Sequence, residues 1–509
     1  MSPEFSIEMK SIHKVYPDGT VALRGVDFEL RSGEIVGLLG ENGAGKTTLM
    51  KILSGLLPPT SGEIYYNGKP VHFRNPSDAL KLGIGMVHQY FALVPPFTAL
   101  ENILLGQEKA GRLSPLDLKG AREKVKALME ETGLSVPLDT PIELLSAGVQ
   151  QRVEILKVLY RGTDVLILDE PTSYLTPLEV EELFKVMRRL KAQGKAIVFI
   201  THKLREVVEI SDRIQVLRNG VVTGKLPASE ATFDKLAIMM VGKEVIPQAV
   251  RSEAEPGEPV LKVKDLYVMS DFGTMAVKGI SFEVRAGEIF GIAGVEGNGQ
   301  SELVQAITGL RRPVKGEIWL KNSNVTAFGP RKLYSLGLSH IPEDKSKFGL
   351  AMNFDLAENS ILGRQWEPQF AGAFGRLNWD NILKFTDRLI KSFNVVAPGV
   401  RTPVKSLSGG NQQRLLVGRE LSKEPSLVVA AHPTRGLDIA STVYIRELLI
   451  KMRDAGKAVL LVSADLDEIL ELSDRVAVMY EGEFLGVGDI KEFAREEIGM
   501  MMGGVRVRK

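Results

Sequence analysis

Gly40-Glu41-Asn42-Gly43-Ala44-Gly45-Lys46-Thr47-Thr48 is the stretch on which the reading of this sequence turns. It fits G-x-x-x-x-G-K-[ST], a loop that wraps phosphates. The flanks agree: the apolar run Glu34–Leu39 predicts a strand ahead of it, and Thr47–Leu53 predicts a helix behind it. Glycines let successive backbone N–H groups turn toward one anion, and the helix N-terminus adds its positive dipole. Lys46 supplies a point charge for the outer phosphates, and Thr47 a hydroxyl for Mg²⁺. The bland alternative is a glycine-rich strand-to-helix turn with a chance lysine, and the agreement of both flanks counts against it.

Working outward, self-similarity comes first. Val21–Glu29 returns as Met275–Glu283, and Ser61-Gly62-Glu63-Ile64 as Lys315-Gly316-Glu317-Ile318. Ser211-Asp212-Arg213-Ile214 returns as Ser473-Asp474-Arg475-Val476, and Gly40 matches Gly294. A period this long means duplicated domains, with expected bounds 1–243 and 259–509 joined by a Ser-, Glu- and Pro-containing linker over 244–258. Within the halves, strands alternate with helices. Val165–Leu168 and Ala196–Ile200 predict buried parallel strands; Leu118–Thr132, Val153–Tyr160 and Leu178–Gln193 predict helices, the first of them beginning after Ser114-Pro115. Ser6–Ile12 and Glu63–Tyr66 predict an antiparallel layer. The fold class is α/β: two tandem P-loop domains, each a mostly parallel sheet with an added β-layer and a helical insertion.

Composition narrows the function. The 509 residues exceed one core, and 44% hydrophobic with 25% charged residues is ordinary for a globular chain. A net charge of +1 gives no global attraction to nucleic acid or to an anionic membrane, so no nucleic-acid partner is expected. With no cysteine, thiol catalysis and disulfides are excluded. Met1–Lys10 lacks a signal-peptide core and no apolar run reaches eighteen residues, so a cytoplasmic place is expected and any membrane role needs a partner subunit.

Asp169 and Glu170 follow the strand Val165–Leu168. An aspartate at a strand end beside a phosphate loop holds Mg²⁺, and a following carboxylate can orient and deprotonate water. Alone, such a pair reads as a solvated turn; the loop in the same half reverses that. Upstream stands Leu145-Ser146-Ala147-Gly148-Val149-Gln150-Gln151-Arg152. The order Gly40–Thr48, Gln89, Ser146–Gln151, Leu166–Glu170 and His202 resembles the ATP-binding subunits of ABC transporters, over nearly the whole chain and twice. In that family these are the Walker A loop, Q-loop, signature motif, Walker B strand and switch histidine. Two fused halves look like the importers for simple sugars and nucleosides, and His88-Gln89 with Leu93-Val94-Pro95 is most similar to the nucleoside branch.

The resemblance implies the roles. ATP is cradled by Gly40, Glu41, Asn42, Gly43, Ala44, Gly45, Lys46, Thr47 and Thr48, with Tyr16 stacked on adenine. Mg²⁺ is held by Thr47, Gln89 and Asp169. Glu170 is the base, and His202 orients it while contacting the γ-phosphate. Partners would be membrane permease subunits and a separate extracellular or periplasmic solute-binding protein, with this chain peripheral on the cytoplasmic side. Phe91–Phe97 and Phe348–Phe354 would form the docking grooves; their apolar residues fit a core equally well.

The second half lacks these catalysts. Gln300 replaces Lys46, Ala431 replaces Asp169, His432 replaces Glu170, Ala464 replaces His202, Glu343 replaces Gln89, and Ser270 stands opposite Tyr16, with Tyr267 or Phe272 as possible stand-ins. Losing a charged phosphate contact costs about 1.5–3 kcal/mol, and losing a base about 10²–10⁴ in rate. The second cradle is therefore expected to bind nucleotide weakly or not at all, and not to hydrolyse it. Its signature, Leu407-Ser408-Gly409-Gly410-Asn411-Gln412, is intact, whereas the first has Ala147 and Val149. Gly436-Leu437-Asp438 keeps an aspartate where Tyr174-Leu175-Thr176 has threonine. Since the family sandwiches ATP between one loop and the other signature, the damage sorts into one composite site. The rivals are a soluble tandem ATPase acting on ribosomes or DNA, disfavoured by the short linker and neutral charge, and a P-loop kinase, which leaves two signatures unexplained.

Overall fold

The computed structural model describes residues 5–89, 91–106, 117–173, 175–242, 256–271, 273–372 and 375–507. Ser114-Pro115, Tyr174, Phe272 and most of the expected linker lie outside them. The chain divides into two compact units, Met1–Ile246 and Pro247–Lys509.

In the first unit a six-stranded sheet runs in the order Val221–Pro227, Arg213–Arg218, Ile35–Gly40, Ala196–Thr201, Val165–Asp169, Ile84–Val87. All neighbours pair in parallel except the edge hairpin formed by the first two. Ile35–Gly40, Val165–Asp169 and Ala196–Thr201 are buried at every position, as strands covered on both faces must be. The second layer is antiparallel, in the order Val21–Arg31, Ser6–Val15, Ser61–Tyr66, Lys69–Val71. Its apolar face, with Ile7, Met9, Phe28 and Leu30, closes on Val36, Leu38, Ile167 and Val198. A second core, including Phe184 edge-on to Phe199 at 5.8 Å, lies under the helices.

Local signals place the helices. Leu118–Thr132 begins at Asp117, whose side chain accepts from Gly120 N, and ends at Gly133 with φ 77°. Pro177–Ala192 starts with a Thr176–Glu179 capping box and a proline in its first turn. The run expected from Val153 starts six residues earlier, at Ala147, so the signature segment is the first turn of a helix, Ala147–Tyr160.

The second unit repeats the plan. Its parallel sheet runs Leu338–Ile341, Leu427–Ala431, Ala458–Ser463, Ile289–Ala293, Arg475–Tyr480, with Glu483–Asp489 antiparallel at the edge. Its antiparallel layer is Met275–Arg285, Pro259–Met269, Lys315–Leu320, Ser323–Asn324. Among the described residues no helix is long and apolar enough to cross a membrane.

Candidate active site

The phosphate loop bridges the strand Ile35–Gly40 and the helix Lys46–Leu53. Gly45 sits at φ 102°, and a Cβ there would meet the Ala22 carbonyl and Leu23 Cδ2 at 2.7 Å, so only glycine fits. Lys46 is buried; its Nζ donates to the carbonyls of Gly40 at 2.7 Å and Glu41 at 2.9 Å. The ammonium is thus folded back on its own loop, available to exchange carbonyls for phosphate. Burial presses its pKa down, opposed by Glu170, Asp169 and Glu41.

Parallel pairing brings the ends of Ile35–Gly40, Ala196–Thr201 and Val165–Asp169 together, and the candidate catalytic residues with them. Thr47 Oγ1 donates to Asp169 Oδ1 at 3.2 Å. Glu170 holds the left-handed conformation, φ 48°, with its N–H on the Ile200 carbonyl at 3.0 Å. Its carboxylate accepts from Gln89 Nε2 at 3.0 Å on one oxygen and meets His202 Nδ1 at 3.0 Å on the other. Gln89, Asp169, Glu170 and His202 thus converge beside Lys46 and Thr47. Tyr16 reaches the same loop, its hydroxyl 3.1 Å from Thr48 Oγ1.

The two carboxyls are driven apart. Burial raises Glu170, but the His202 hydrogen bond and the positive groups around it outweigh burial and hold it below its usual range. Asp169 is raised to about 6, first by burial and further by Glu170, against the pull of Thr47 and Lys46. Its ordinary value is 3.8, so the fold gains from a neutral Asp169 below that pH and loses the gain as pH rises through 6. At pH 7.5 the ionised group weighs against the nucleotide-free fold. Asp169→Asn is expected to stabilise it by on the order of 1–3 kcal/mol. Urea unfolding at pH 7.5 and at pH 4 checks this: the gain should vanish at the lower pH. The donor set of hydroxyl, carboxylate and amide oxygen is of the hard type that suits Mg²⁺ alongside phosphate oxygens.

Several contributing residues carry no sequence signal. Ser173 Oγ donates to Glu170 Oε2 at 3.5 Å. The fully buried Asn102 braces the loop after Gln89, donating to the carbonyls of Val94, Phe97 and Thr98 and accepting from Val94 N at 2.7 Å. Glu154 and Lys157, on the helix Ala147–Tyr160, bond Ala92 N at 2.6 Å and the Ala92 carbonyl at 2.7 Å. Asn359 and Arg419 do the same in the second unit, on Ala351 and Gly349. Each loop is therefore stapled to its signature helix. Phe97, Phe348 and Phe354 are exposed, whereas Leu350 belongs to the core.

In the second unit Ser408 caps the helix Gly409–Leu421, its Oγ accepting from Asn411 N and from Asn411 Nδ2 at 2.9 Å. Asn411 Oδ1 accepts from Val396 N at 2.8 Å, and Gln412 Nε2 donates to the Val404 and Leu407 carbonyls. A Cβ on Gly410 would strike Ser441 Oγ and lie 2.9 Å from Asp438 Oδ2. Gly409 has open space apart from Lys345 Nζ at 3.7 Å. Ser146, by contrast, makes no side-chain cap bond. His432 keeps the conformation of Glu170, φ 46°, but is half-buried; desolvation lowers its imidazole pKa, and its Nδ1 accepts from Ala464 N at 3.4 Å.

The family model for the ABC transporter matches residues 23–173 and again 277–435, covering both phosphate loops and both signatures. The chain belongs to the ABC transporter family. Nucleoside import ATP-binding protein NupA of Lactococcus lactis subsp. cremoris is 45% identical over 509 residues, spanning 100% of each chain. Guanosine import ATP-binding protein NupO of Bacillus subtilis is 44% identical over 98% of each, and glucose import ATP-binding protein TsgD13 of Haloferax volcanii 40% identical over 99% of this chain and 96% of its own. A solved structure described as RNase-L Inhibitor matches with a TM-score of 0.62 over 95% of this chain and 91% of that one; at 21% identity it shows the fold alone. Membership makes this ABC protein an ATPase with two ABC domains.

Proposed function

We propose that this chain energises import of a nucleoside from the cytoplasmic face of the membrane. The convergence of Lys46, Thr47, Asp169, Glu170, Gln89 and His202 on one loop carries the catalytic part of the reading. ATP lies in the first cradle with Tyr16 against the base, and Ser408, Gly409, Gly410, Asn411 and Gln412 of the second unit complete the site. Thr47, Asp169 and Gln89 hold Mg²⁺, which when bound neutralises the developing charge on the phosphates. Lys46 leaves its carbonyls for the outer phosphates. Glu170, ionised at neutral pH, orients the attacking water and accepts its proton at a carboxylate oxygen while the terminal phosphoryl departs; His202 fixes that carboxylate.

The import reading rests on full-length likeness to nucleoside and guanosine import proteins at 45% and 44%, above the 40% of the glucose import protein. The stapled loops offer the mechanical link. Glu154 and Lys157 tie the segment after Gln89 to the signature helix, so closure around ATP is transmitted to the exposed Phe97 and its counterparts Phe348 and Phe354, where permease subunits dock. A solute-binding protein outside the cell delivers the cargo. Detergent extraction should therefore recover the chain with membrane subunits, and vesicles bearing the complex should take up labelled guanosine when ATP is supplied. Salt-sensitive co-sedimentation with ribosomes, without such subunits, would contradict the reading.

A further inference from the structure

Glu170 and His202 meet at 3.0 Å, yet they stand on different segments, one following the strand Val165–Asp169 and the other the strand Ala196–Thr201. Two neighbours tie these segments together. Glu206, in the helix Leu204–Ile210 that leads away from His202, accepts from Thr172 Oγ1 at 2.6 Å on one carboxylate oxygen. On the other it accepts from Lys203 Nζ at 2.9 Å. Lys203 Nζ also donates to the Thr172 carbonyl at 3.4 Å. Thr172 is buried just beyond Glu170, and Lys203 is the residue after His202. The lysine and the glutamate therefore bridge the backbone beside each member of the Glu170–His202 pair.

The second unit separates the structural part of this bridge from the rest. There Glu468 accepts from Thr434 Oγ1 at 2.6 Å, as Glu206 does from Thr172. Its other oxygen accepts from Ser463 Oγ at 2.6 Å, at the end of the strand Ala458–Ser463. The lysine is replaced by Asp465. Where His432 and Ala464 stand in place of Glu170 and His202, the acid and the threonine stay and the lysine arm is gone. Asp465 caps the helix Leu466–Leu472, accepting from Asp467 N and Glu468 N. Lys203, at the same place before Leu204–Ile210, makes no cap bond. Asp, Asn and Ser are the favoured residues at such a position, and a cation there opposes the helix dipole. The first unit thus forgoes a helix cap in order to keep a lysine. A local rule broken in this way is expected at functional positions.

We propose that Lys203 is a positioning residue for hydrolysis, its ammonium locking the segment that carries His202 to the segment that carries Glu170 so that the imidazole stays on the carboxylate. Glu206 anchors the ammonium, and Lys203 acts through the pair it holds together. This rests on Glu170 and His202 having the roles proposed above.

Steady-state hydrolysis by the full chain tests it. Lys203→Ala should lower kcat by about tenfold, short of the roughly 10²-fold that a 1 Å misplacement can cost, and leave KM for ATP within about twofold. Lys203→Arg, which keeps the charge, should recover most of the rate. Lys203→Asn should raise the thermal midpoint by supplying the missing cap, and yet lower kcat as Lys203→Ala does. A purely structural lysine would not give that pairing of signs. In a Glu170→Gln background Lys203→Ala should cost nothing further, because its effect passes through that carboxylate. An unchanged kcat in Lys203→Ala and Lys203→Asn, an equal loss in Lys203→Arg, or a full additional loss on top of Glu170→Gln overturns the proposal. Normal turnover by Glu170→Gln would instead overturn the reading of Glu170 on which it rests.

Discussion

Glu170→Gln is expected to abolish most ATP turnover while leaving nucleotide binding intact. The substitution keeps the size of the side chain and an oxygen to accept from Gln89 Nε2, so the backbone turn at φ 48° and its N–H bond to Ile200 should persist. It removes the charge that orients water and the basic oxygen that takes its proton. Loss of a general base costs about 10²–10⁴ in rate. Steady-state phosphate release measures the loss, and retention of labelled ATP shows that binding survives. His432→Ala is the matched control, because His432 occupies the same left-handed turn in the second unit. It should change turnover little. An equal loss from both substitutions would reverse the choice of catalytic unit.

Ser408→Ala should also cut hydrolysis, by about 10²-fold if the hydroxyl and the turn behind it donate to the transferring phosphoryl group. Part of any effect is local. Ser408 caps its helix, and losing the cap costs about 1 kcal/mol. A purely structural loss would lower the thermal midpoint and leave the rate per folded molecule unchanged. A loss in the rate per folded molecule would instead support the proposed composite site, since Ser408 and Lys46 stand in different compact units.

Much of this arrangement was legible from residue order. The loop around Lys46 carries its own spacing, and Leu118–Thr132 announces itself by period and by Gly133. Asp169 and Glu170 were readable because an apolar run stops at them. The start of Ala147–Tyr160 was not, because serine and glycine are weak helix formers and blur the period where the signature begins. Ser173, Asn102 and Glu154 were invisible for another reason. Their work is hydrogen bonding to atoms brought near only by the sheet, and lone polar residues look alike in sequence. Arg435 and Glu343 show this best: they pair at 3.0 Å although 92 residues separate them, so aligning the repeats revealed what the second unit lacks but not this pair.

The central claim is a single working site, made from the first cradle and the second signature. Turnover of Ser408→Ala and Ser146→Ala, measured side by side in the full chain, tests it most directly. The account predicts a large loss for Ser408→Ala and a rate close to wild type for Ser146→Ala. Equal losses, or a loss confined to Ser146→Ala, would contradict it.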